Sequence, residues 1–262
     1  MRLDGRVVVI TGAAGGIGSA LARRFAAEKV AALVLADLDG AAAAALAASL
    51  PGEAVGVEAD VTSEEQVAEV VAETLERYDR IDLFCANAGI TTGAGLEASP
   101  ETWERAWGVN VLSHIYSARA ALPSMLERGG GYLLHTCSAA GLLTAVGDAP
   151  YAVTKHAAVS FAEWLSITYG SQGIKVSALC PQGVDTPMLQ DGLKAGHIGA
   201  KVTAAGGEVL SPDLVADAVV AGLDAERFLI LPHPEVAKYY LNRATDTDRW
   251  LAGMRNLRDS LS

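Results

Sequence analysis

The segment Thr11-Gly12-Ala13-Ala14-Gly15-Gly16-Ile17-Gly18 lies between the apolar run Val7–Ile10 and a helical pattern over Ile17–Glu28. Glycines at such a turn let the backbone approach a pyrophosphate that side chains would block. The following helix then offers unpaired N–H groups and the positive end of its dipole. A tight turn without a ligand is the alternative. The position between the first strand and the first helix favours a dinucleotide site.

Short apolar runs alternate with longer helical patterns along the chain, and the runs have the continuous hydrophobicity of strands buried on both faces. The predicted strands are Val7–Ile10, Ala32–Ala36, Ala54–Glu58, Leu83–Ala86, Tyr132–Thr136, Val176–Cys180 and Phe228–Leu231. The predicted helices are Ile17–Glu28, Gly40–Leu50, Ser63–Tyr78, Pro100–Glu127, Tyr151–Gly170 and Ser211–Leu223. This order implies right-handed crossovers and an α/β fold, a Rossmann-type doubly wound parallel seven-stranded sheet with helices on both faces.

We expect a single domain over residues 1–262, because no linker or internal repeat interrupts the alternation. A single core of this length is within the usual limit of about 250–300 residues. One stretch, Gly183–Leu210, is rich in glycine and lacks strong periodicity, so we expect a substrate loop or lid over about residues 183–210. The tail over about residues 232–262 also departs from the alternation and carries aromatic residues near a late amphipathic helix.

Composition argues against several classes of function. The net charge is −11 and no basic cluster occurs, which disfavours nucleic acids and anionic membrane surfaces as partners. The three cysteines are an odd number within apolar runs, so no disulfide framework is expected and a cytoplasmic location fits best. The sequence has no signal-peptide h-region, no apolar run of membrane length and no metal-ligand spacing, so no metal site is predicted.

Asp37 ends the second predicted strand, roughly 20 residues beyond the glycines. A carboxylate there can accept hydrogen bonds from both ribose hydroxyls of a dinucleotide, and it would repel a 2′-phosphate. The glycine turn also lacks the lysine or arginine that would attract such a phosphate. Both features favour NAD over NADP. A solvated turn residue is the alternative interpretation, and it applies best to the neighbouring Asp39.

Further motifs follow at characteristic spacing, and together they resemble the short-chain dehydrogenase/reductase family over roughly residues 5–190. The glycine turn resembles TGxxxGxG of the short single-domain branch. Gly15 also fits the TGxxGxxG spacing of a longer branch, but the chain has no room for that branch's extra substrate domain. The other matching motifs are Asp60-Val61, Asn87-Ala88-Gly89 (here preceded by Ala86, where the family often has asparagine), Asn110, Ser138, Tyr151 with Lys155, Pro181-Gln182-Gly183 and Thr186.

The resemblance implies two sets of site residues. The catalytic set is Asn110, Ser138, Tyr151 and Lys155. The residues implied to bind NAD, with Asp37, are Gly12, Gly16, Ile17, Gly18, Asp60, Val61, Asn87, Ala88, Gly89, Tyr151, Lys155, Pro181, Gly183, Val184 and Thr186. In the family's manner Tyr151 would be the general acid/base, Ser138 would hold the substrate oxygen, Lys155 would bind the nicotinamide ribose, and Asn110 would fix Lys155 through water.

The spacing of Tyr151 and Lys155 suits this chemistry, since residues four apart share one face of a helix. A free tyrosine has a pKa of about 10, and a neighbouring ammonium favours the phenolate, so we expect Lys155 to lower the pKa of Tyr151. Each residue alone has a plainer interpretation: Tyr151 as a half-buried helix residue, Lys155 as a solvated charge, Ser138 as a turn residue and Asn110 as a helix cap. Four such coincidences at family spacing are improbable.

Two other groups of residues have side chains that could act as a nucleophile or bind a metal. His135 and Cys137 share one side of a strand and suggest a thiol nucleophile, but core packing is favoured because cysteine is among the most buried residues. His156, His197 and His233 have no evident partners in the sequence. Neither group predicts a metal site.

The sequence therefore predicts an NAD-dependent oxidoreductase that transfers a hydride between nicotinamide and a secondary alcohol or ketone. The alternatives are a redox sensor or scaffold that binds NAD without turnover, a 3-oxoacyl reductase-like enzyme, and an epimerase or dehydratase that uses transient oxidation. The segments Ala139–Ala149 and Gly183–Leu210 are largely small or aliphatic, which favours a hydrophobic substrate. By resemblance the chain would form a homotetramer or homodimer through Pro100–Glu127 and Tyr151–Gly170.

Overall fold

The computed structural model describes residues 1–261, and within them seven strands form one parallel sheet. The strands are β1 (Val7–Thr11), β2 (Ala32–Asp37), β3 (Ala54–Glu58), β4 (Leu83–Ala86), β5 (Gly131–Thr136), β6 (Ile174–Leu179) and β7 (Leu229–Ile230). Their order is β3-β2-β1-β4-β5-β6-β7, with every neighbouring pair parallel. The predicted fold class is confirmed.

Helices flank the sheet. They are α1 (Gly16–Ala27), α2 (Gly40–Ser49), α3 (Glu64–Tyr78), α4 (Pro100–Trp107), α5 (Ser113–Glu127), α6 (Ala140–Leu143), α7 (Ala149–Tyr169), α8 (Pro187–Lys194), α9 (Ile198–Ala205), α10 (Pro212–Asp224), α11 (Glu235–Thr245) and α12 (Thr247–Leu261). None of these helices, all within residues 1–261, has both the length and the apolar character that crossing a bilayer requires.

Apart from the single-turn α6, which is not predicted, the structure differs from the sequence-based helices in three places. The stretch predicted as one helix, Pro100–Glu127, is α4 and α5 joined by a π-helix over Gly108–Leu112. The segment 183–210 contains the two short helices α8 and α9, whose few turns leave little room for a periodic signal. The tail, in which only one late amphipathic helix is expected from the sequence, forms the two helices α11 and α12.

Both faces of the sheet are buried because successive strand residues alternate between them. In β1, Val8 and Ile10 pack with α1, α2 and α10, whereas Val9 packs on the opposite side with α3, α5 and α7. In β5, Leu134 lies on the same side of the sheet as Val8 and Ile10, and Leu133 lies on the same side as Val9. Because helices cover both faces, only the ends of the strands and their loops are open to solvent. The candidate site lies at the carboxyl ends of the strands.

A buried carboxylate fixes the start of β4 beside β1. The Asp82 side chain is 6% exposed, and its Oδ2 accepts a hydrogen bond of 2.9 Å from the Val7 amide. Arg80 donates to both carboxylate oxygens, and the guanidinium groups of Arg128 and Arg6 lie 3.3 and 3.5 Å from Oδ1. Burial alone would raise the pKa of Asp82, but these hydrogen bonds outweigh it and hold the pKa below its usual value.

We expect Asp82→Asn to lower the free energy of unfolding by about 2 kcal/mol at neutral pH, because it removes the charge that the three arginines face. A depressed carboxyl pKa stabilises the fold above the unfolded value of about 3.9, and this stabilisation is lost as the pH falls through the lower folded value. Urea unfolding at stepwise lower pH should therefore show the gap between wild type and variant closing below about pH 4. Asp79→Asn, on an exposed turn residue, is the control. Equal stability at pH 7 would contradict this account.

Candidate active site

One cavity of about 1200 Å³ lies at the carboxyl ends of the strands. Residues that follow β1, β2, β3, β4, β5 and β6 line it, with further residues from α8, α9, α11 and α12. Parallel strands all present their carboxyl ends at one sheet edge, so loops far apart in sequence meet there. This edge is therefore where the predicted site residues can act together.

The structure brings most of the predicted site residues to this cavity. Those that line it are Gly12, Gly16, Ile17, Asp37, Asp60, Val61, Asn87, Ala88, Gly89, Ser138, Tyr151, Lys155, Pro181, Val184 and Thr186. Three others do not line it: Gly18, Asn110 and Gly183. A Cβ on Gly18 would collide with the Gly12 carbonyl, and one on Gly183 would face Val209 and Thr203. The contact of Gly18 and Gly183 with a cofactor stays a prediction.

The glycines of the first turn serve different purposes. Gly12 has φ of +61°, and a Cβ there would lie 2.8 Å from the Ala88 Cα, so this glycine allows two loops to pack. Gly15 lines the cavity with extended backbone, and a Cβ there would meet nothing within 4 Å. Gly15 also precedes α1 without a side-chain cap, which leaves the first amides of the helix available to an anion. The turn thus has the open, amide-lined surface that a pyrophosphate requires.

Asp37 and Asp39 are distinguished by their hydrogen bonds. The Asp37 Oδ2 accepts a bond of 2.8 Å from the Ala14 amide, which ties the end of β2 to the glycine turn at the cavity. The Asp39 carboxylate instead caps α2 by accepting from the Ala42 amide at 2.9 Å. Asp37 is therefore the carboxylate whose position suits a ribose, while the main contact of Asp39 is structural.

Asn87 holds the centre of the cavity floor together. Its Nδ2 donates to the carbonyls of Thr11 and Gly12 at 3.0 and 3.1 Å, and its Oδ1 accepts from the Thr136 hydroxyl at 3.0 Å. The amide side chain thereby joins the ends of β1, β4 and β5. Asp60 also lines the cavity, and its Oδ1 accepts from both the amide and the hydroxyl of Thr62.

Lys155 is a buried amine at the back of the cavity. Its side chain is 3% exposed, and Nζ donates to the Thr136 carbonyl at 2.9 Å. Burial lowers the pKa of Lys155 because the charged form loses its hydration. Nζ lies 5.7 Å from the centre of the Tyr151 ring, so the two predicted partners are neighbours on α7.

Asn110 lies in the π-helix, where the wider turn directs its side chain at the loop after β4. It exchanges hydrogen bonds of 2.9 Å with both the amide and the carbonyl of Ile90, and its Nδ2 also donates to the Thr154 hydroxyl at 3.1 Å. A Cβ on Gly89 would lie 3.2 Å from the Lys155 Nζ and 3.4 Å from the Asn110 Oδ1. Asn110 and Lys155 therefore flank the same glycine.

Tyr151 lies in the first turn of α7 with its ring beside the Ser138 hydroxyl. Burial raises the pKa of Tyr151 to about 12, although the nearby Ser138 hydroxyl opposes the rise. Burial thus sets the pKa of Tyr151 above its ordinary value of about 10, opposite to the lowering expected from Lys155, whose Nζ lies 5.7 Å from the ring centre. At neutral pH the group is a phenol, which is the form that donates a proton.

Asp148 is a structural residue of the site that the sequence analysis missed. It caps α7 by accepting from the Tyr151 amide at 3.0 Å, and it accepts from the amides of Thr92 and Gly93 at 2.7 Å each. It thus fixes the first turn of α7 against the loop after β4. An aspartate two residues before Pro150 is a recognisable helix-start signal, so this role was detectable in principle.

Two histidines thought to lack partners have them. The His233 Nδ1 accepts from the Gln182 amide at 3.1 Å, and its Nε2 lies 3.0 Å from the Gly183 carbonyl. The His156 Nδ1 lies 2.8 Å from the Ala152 carbonyl, and its Nε2 lies 3.5 Å from Arg243. These partners were hidden from the sequence because they belong to distant turns or to the backbone.

The thiol-nucleophile hypothesis finds no support in the geometry. His135 is 1% exposed and its Nδ1 lies 2.9 Å from the Nδ1 of His114, while Cys137 is 2% exposed and contacts Cys180. The expectation of core packing is confirmed for both. Within residues 1–261 no group of three or more His, Cys, Asp or Glu side chains is arranged to hold a metal ion.

The outer part of the cavity is mainly apolar, and much of it comes from the tail. Tyr239 of α11 and Trp250, Met254 and Leu257 of α12 line it. The Tyr239 and Trp250 rings lie 6.2 Å apart, so the two helices of the tail support each other. From the sequence the tail is notable only for its aromatic residues, and the tertiary structure is what places Tyr239 and Trp250 at the cavity.

Comparisons with known proteins agree with this geometry. The family model for short chain dehydrogenases matches residues 6–195. The chain is 37% identical over 243 residues to a 1-deoxy-11-beta-hydroxypentalenate dehydrogenase of Streptomyces exfoliatus, covering 90% of this chain and 86% of that one. It is 39% identical over 190 residues to a meso-2,3-butanediol dehydrogenase of Serratia marcescens, covering 72% and 75%. A short chain dehydrogenase/reductase from Burkholderia phymatum, solved in complex with NAD, superposes with a TM-score of 0.87 at 30% identity, covering 95% of this chain and 96% of that one.

We expect Gly15→Ala to weaken NAD⁺ binding about tenfold or more, because the added methyl group occupies the surface where a pyrophosphate must approach the backbone. Its stability should stay within about 1 kcal/mol of wild type, since the position tolerates any residue apart from a small capping preference. Calorimetric titration with NAD⁺ and thermal unfolding measure the two effects. Gly12→Ala is the matched comparison, and it should lose about 1–3 kcal/mol of stability through strain. Unchanged NAD⁺ affinity in Gly15→Ala would contradict the assignment.

Proposed function

The chain belongs to the short-chain dehydrogenase family, and we propose that it oxidises a largely apolar secondary alcohol with NAD⁺, or reduces the ketone with NADH, through Ser138, Tyr151 and Lys155. The oxidoreductase class follows from the family and its dehydrogenase relatives. The observation that supports the residue roles best is that Ser138, Tyr151 and Lys155 line one cavity, with the Lys155 Nζ 5.7 Å from the centre of the Tyr151 ring.

The residues present fit a nicotinamide dinucleotide. The open surface at Gly15 suits a pyrophosphate, Asp37 suits a ribose, and Lys155 lies where the cavity continues to Tyr151. When bound, the nicotinamide supplies the carbon that accepts or returns the hydride. The chain itself must position the substrate oxygen and move its proton.

Ser138 and Tyr151 provide for these two tasks. A substrate oxygen placed between their hydroxyls can accept a hydrogen bond from each. In ketone reduction the Tyr151 phenol gives its proton to the carbonyl oxygen, which suits a group whose pKa burial raises to about 12. In alcohol oxidation Tyr151 must first lose its proton, and the Lys155 ammonium and the positive charge of an oxidised nicotinamide both favour the phenolate.

NAD is the proposed cofactor rather than NADP. The Asp37 carboxylate is held at the cavity by the Ala14 amide, at the place where it would face a ribose and repel a 2′-phosphate. The first turn of α1 contributes no lysine or arginine to attract such a phosphate.

An apolar alcohol is the proposed substrate. The outer cavity is lined by Leu143 of α6, Val146 after it, Met188 from α8 and Trp250 from α12. Such side chains bind hydrocarbon by removing its surface from water. The named relatives, which act on a hydroxypentalenate and on a butanediol, are likewise dehydrogenases of secondary alcohols.

An NAD-binding sensor without turnover is the less favoured alternative. Cofactor binding alone requires the glycine turn and Asp37, whereas burying the Lys155 amine and the Tyr151 phenol costs free energy that a pure binding protein need not spend.

We also propose a cytoplasmic homo-oligomer. Trp107 of α4 and Trp164 of α7 are large exposed side chains on the helices that the resemblance assigns to a subunit interface.

We expect Tyr151→Phe to lower kcat by about 10²–10⁴-fold, because the substrate oxygen loses its proton donor and acceptor. NAD⁺ affinity should stay within about twofold, since the phenyl ring still fills the same space. NADH formation at 340 nm across a panel of secondary alcohols, with NAD⁺ titration alongside, measures both. Tyr240→Phe, on a half-exposed residue of α11, is the matched control and should behave as wild type. Retained turnover in Tyr151→Phe would defeat the assignment.

We expect Asp37→Ser to raise kcat/KM for NADP⁺ about tenfold or more and to lower it for NAD⁺, because the variant removes the charge that repels the 2′-phosphate and loses one acceptor for the ribose hydroxyls. The measurement is the ratio of the two kcat/KM values with one alcohol substrate. A wild-type enzyme that uses both cofactors equally well would show that Asp37 does not select NAD.

A further inference from the structure

Arg243, in the last turn of α11, connects the tail to the helix that follows Ser138. Its guanidinium donates a hydrogen bond to the Leu142 carbonyl of α6, and its Nη1 lies 3.5 Å from the Nε2 of His156 in α7. The Nδ1 of His156 lies 2.8 Å from the Ala152 carbonyl, which can only accept. In the neutral ring Nε2 is therefore an acceptor, and it faces the guanidinium. Acceptors from two different helices thus face one side chain of the tail.

The helix α6 is a single turn between the reacting centre and the substrate side of the cavity. The Ser138 Oγ accepts a hydrogen bond of 3.0 Å from the Ala140 amide at the start of this turn, and Leu143 at its end lines the cavity. The Leu142 carbonyl is one of those that a helix end leaves without an intrahelical partner, and an arginine is a suitable donor for it. Arg243 therefore holds the turn that joins Ser138 to the substrate side.

The face of α11 that carries Arg243 also faces the body of the protein. Val236, Tyr239 and Arg243 stand at positions i, i+3 and i+7, which share one face of a helix. Val236 is buried in the core and Tyr239 lines the cavity, whereas Tyr240, on another side, is 40% exposed. Arg243 is thus the polar end of an otherwise apolar contact face, and it fixes the direction in which that face points.

Four residues of the tail line the cavity, and we call them the tail wall: Tyr239, Trp250, Met254 and Leu257. The three from α12 recur at i, i+4 and i+7, which places them on one face of that helix. Over its described range Thr247–Leu261, α12 contains no buried residue, so its place depends on its contacts with α9 and α11. The rings of Tyr239 and Trp250 lie 6.2 Å apart, which links the two parts of the tail wall.

We propose that Arg243 is a positioning residue that holds the tail wall over the cavity and thereby makes the enzyme prefer large apolar alcohols. Arg243 itself does not line the cavity, so it acts through α6 and the tail wall. This inference rests on the proposed function, because the tail wall contacts the substrate of that same site. A small alcohol held at Ser138 and Tyr151 gains nothing from the tail wall, whereas a long one buries its hydrocarbon against it.

The test uses the secondary alcohols from 2-butanol to 2-decanol at saturating NAD⁺. In wild type, kcat/KM should rise about two- to fourfold for each added methylene over several members of the series, mainly through KM. Arg243→Met keeps the length of the side chain and removes its donors. It should lower kcat/KM for 2-decanol about tenfold or more, while the value for 2-butanol and the affinity for NAD⁺ stay within about twofold.

Three further variants separate positioning from a general structural role. Arg243→Lys keeps a charged donor for the Leu142 carbonyl, so its loss with 2-decanol should be only about two- to threefold. Trp250→Ala should flatten the series by itself, and adding Arg243→Met to it should cost little more, because both changes act on the tail wall. Arg255→Met, at an exposed position of α12, is the matched control and should behave as wild type.

Four results would overturn the inference. They are a wild-type series without a rise, an Arg243→Met variant that lowers kcat/KM equally for short and long alcohols, one that leaves the rise unchanged, and effects of Arg243→Met and Trp250→Ala that add independently. If thermal unfolding shows that Arg243→Met does not fold, the series measured with Arg243→Lys decides in the same way. Absence of NADH formation with every alcohol would count against the proposed function itself, which is a different outcome from turnover with a flat series.

Discussion

The buried amine of Lys155 is the constraint on which the site depends. A charged group at 3% exposure, whose nearest fixed partner is the Thr136 carbonyl at 2.9 Å, is costly to keep out of water. Its position therefore has to be imposed by the surrounding structure. The Asp148 cap fixes the first turn of α7, and Gly89 leaves room in front of the amine. Tyr151 and Ser138 lie beside this amine, so the protein groups around them, rather than water, determine how readily Tyr151 gives up or takes a proton.

The parallel sheet provides the place where this environment can form. Its two buried faces require apolar strands, so polar and flexible residues are confined to the ends. Asn87 then joins the carboxyl ends of β1, β4 and β5 through its amide, and the bond from Ala139 to the Pro181 carbonyl joins the ends of β5 and β6. The glycine turn, Tyr151 and the apolar wall of the cavity therefore lie along the same edge of the sheet, and hydrogen bonds join the strand ends that carry them.

The fold and most of the candidate site could be predicted because their signals are local. The sequence alone shows a glycine turn between a strand and a helix, and a tyrosine and a lysine four residues apart. It also shows that Asp37 ends the second predicted strand, which is where a ribose-binding carboxylate is expected. What failed depended on burial or on distant contacts. The pKa of Tyr151 is set by desolvation that no spacing reveals. The partner of His233 is the backbone of Gln182, and Trp250 reaches the cavity through the packing of α12 against α9 and α11.

A crystal structure of the enzyme with NADH and an unreactive substrate analogue tests most directly where the reacting oxygen of the substrate lies. We expect the analogue's oxygen to lie within about 3.2 Å of both the Tyr151 and the Ser138 hydroxyl oxygens, with the nicotinamide C4 against the neighbouring carbon. An analogue oxygen bound elsewhere in the cavity, with the Tyr151 hydroxyl turned away from the nicotinamide, would contradict it.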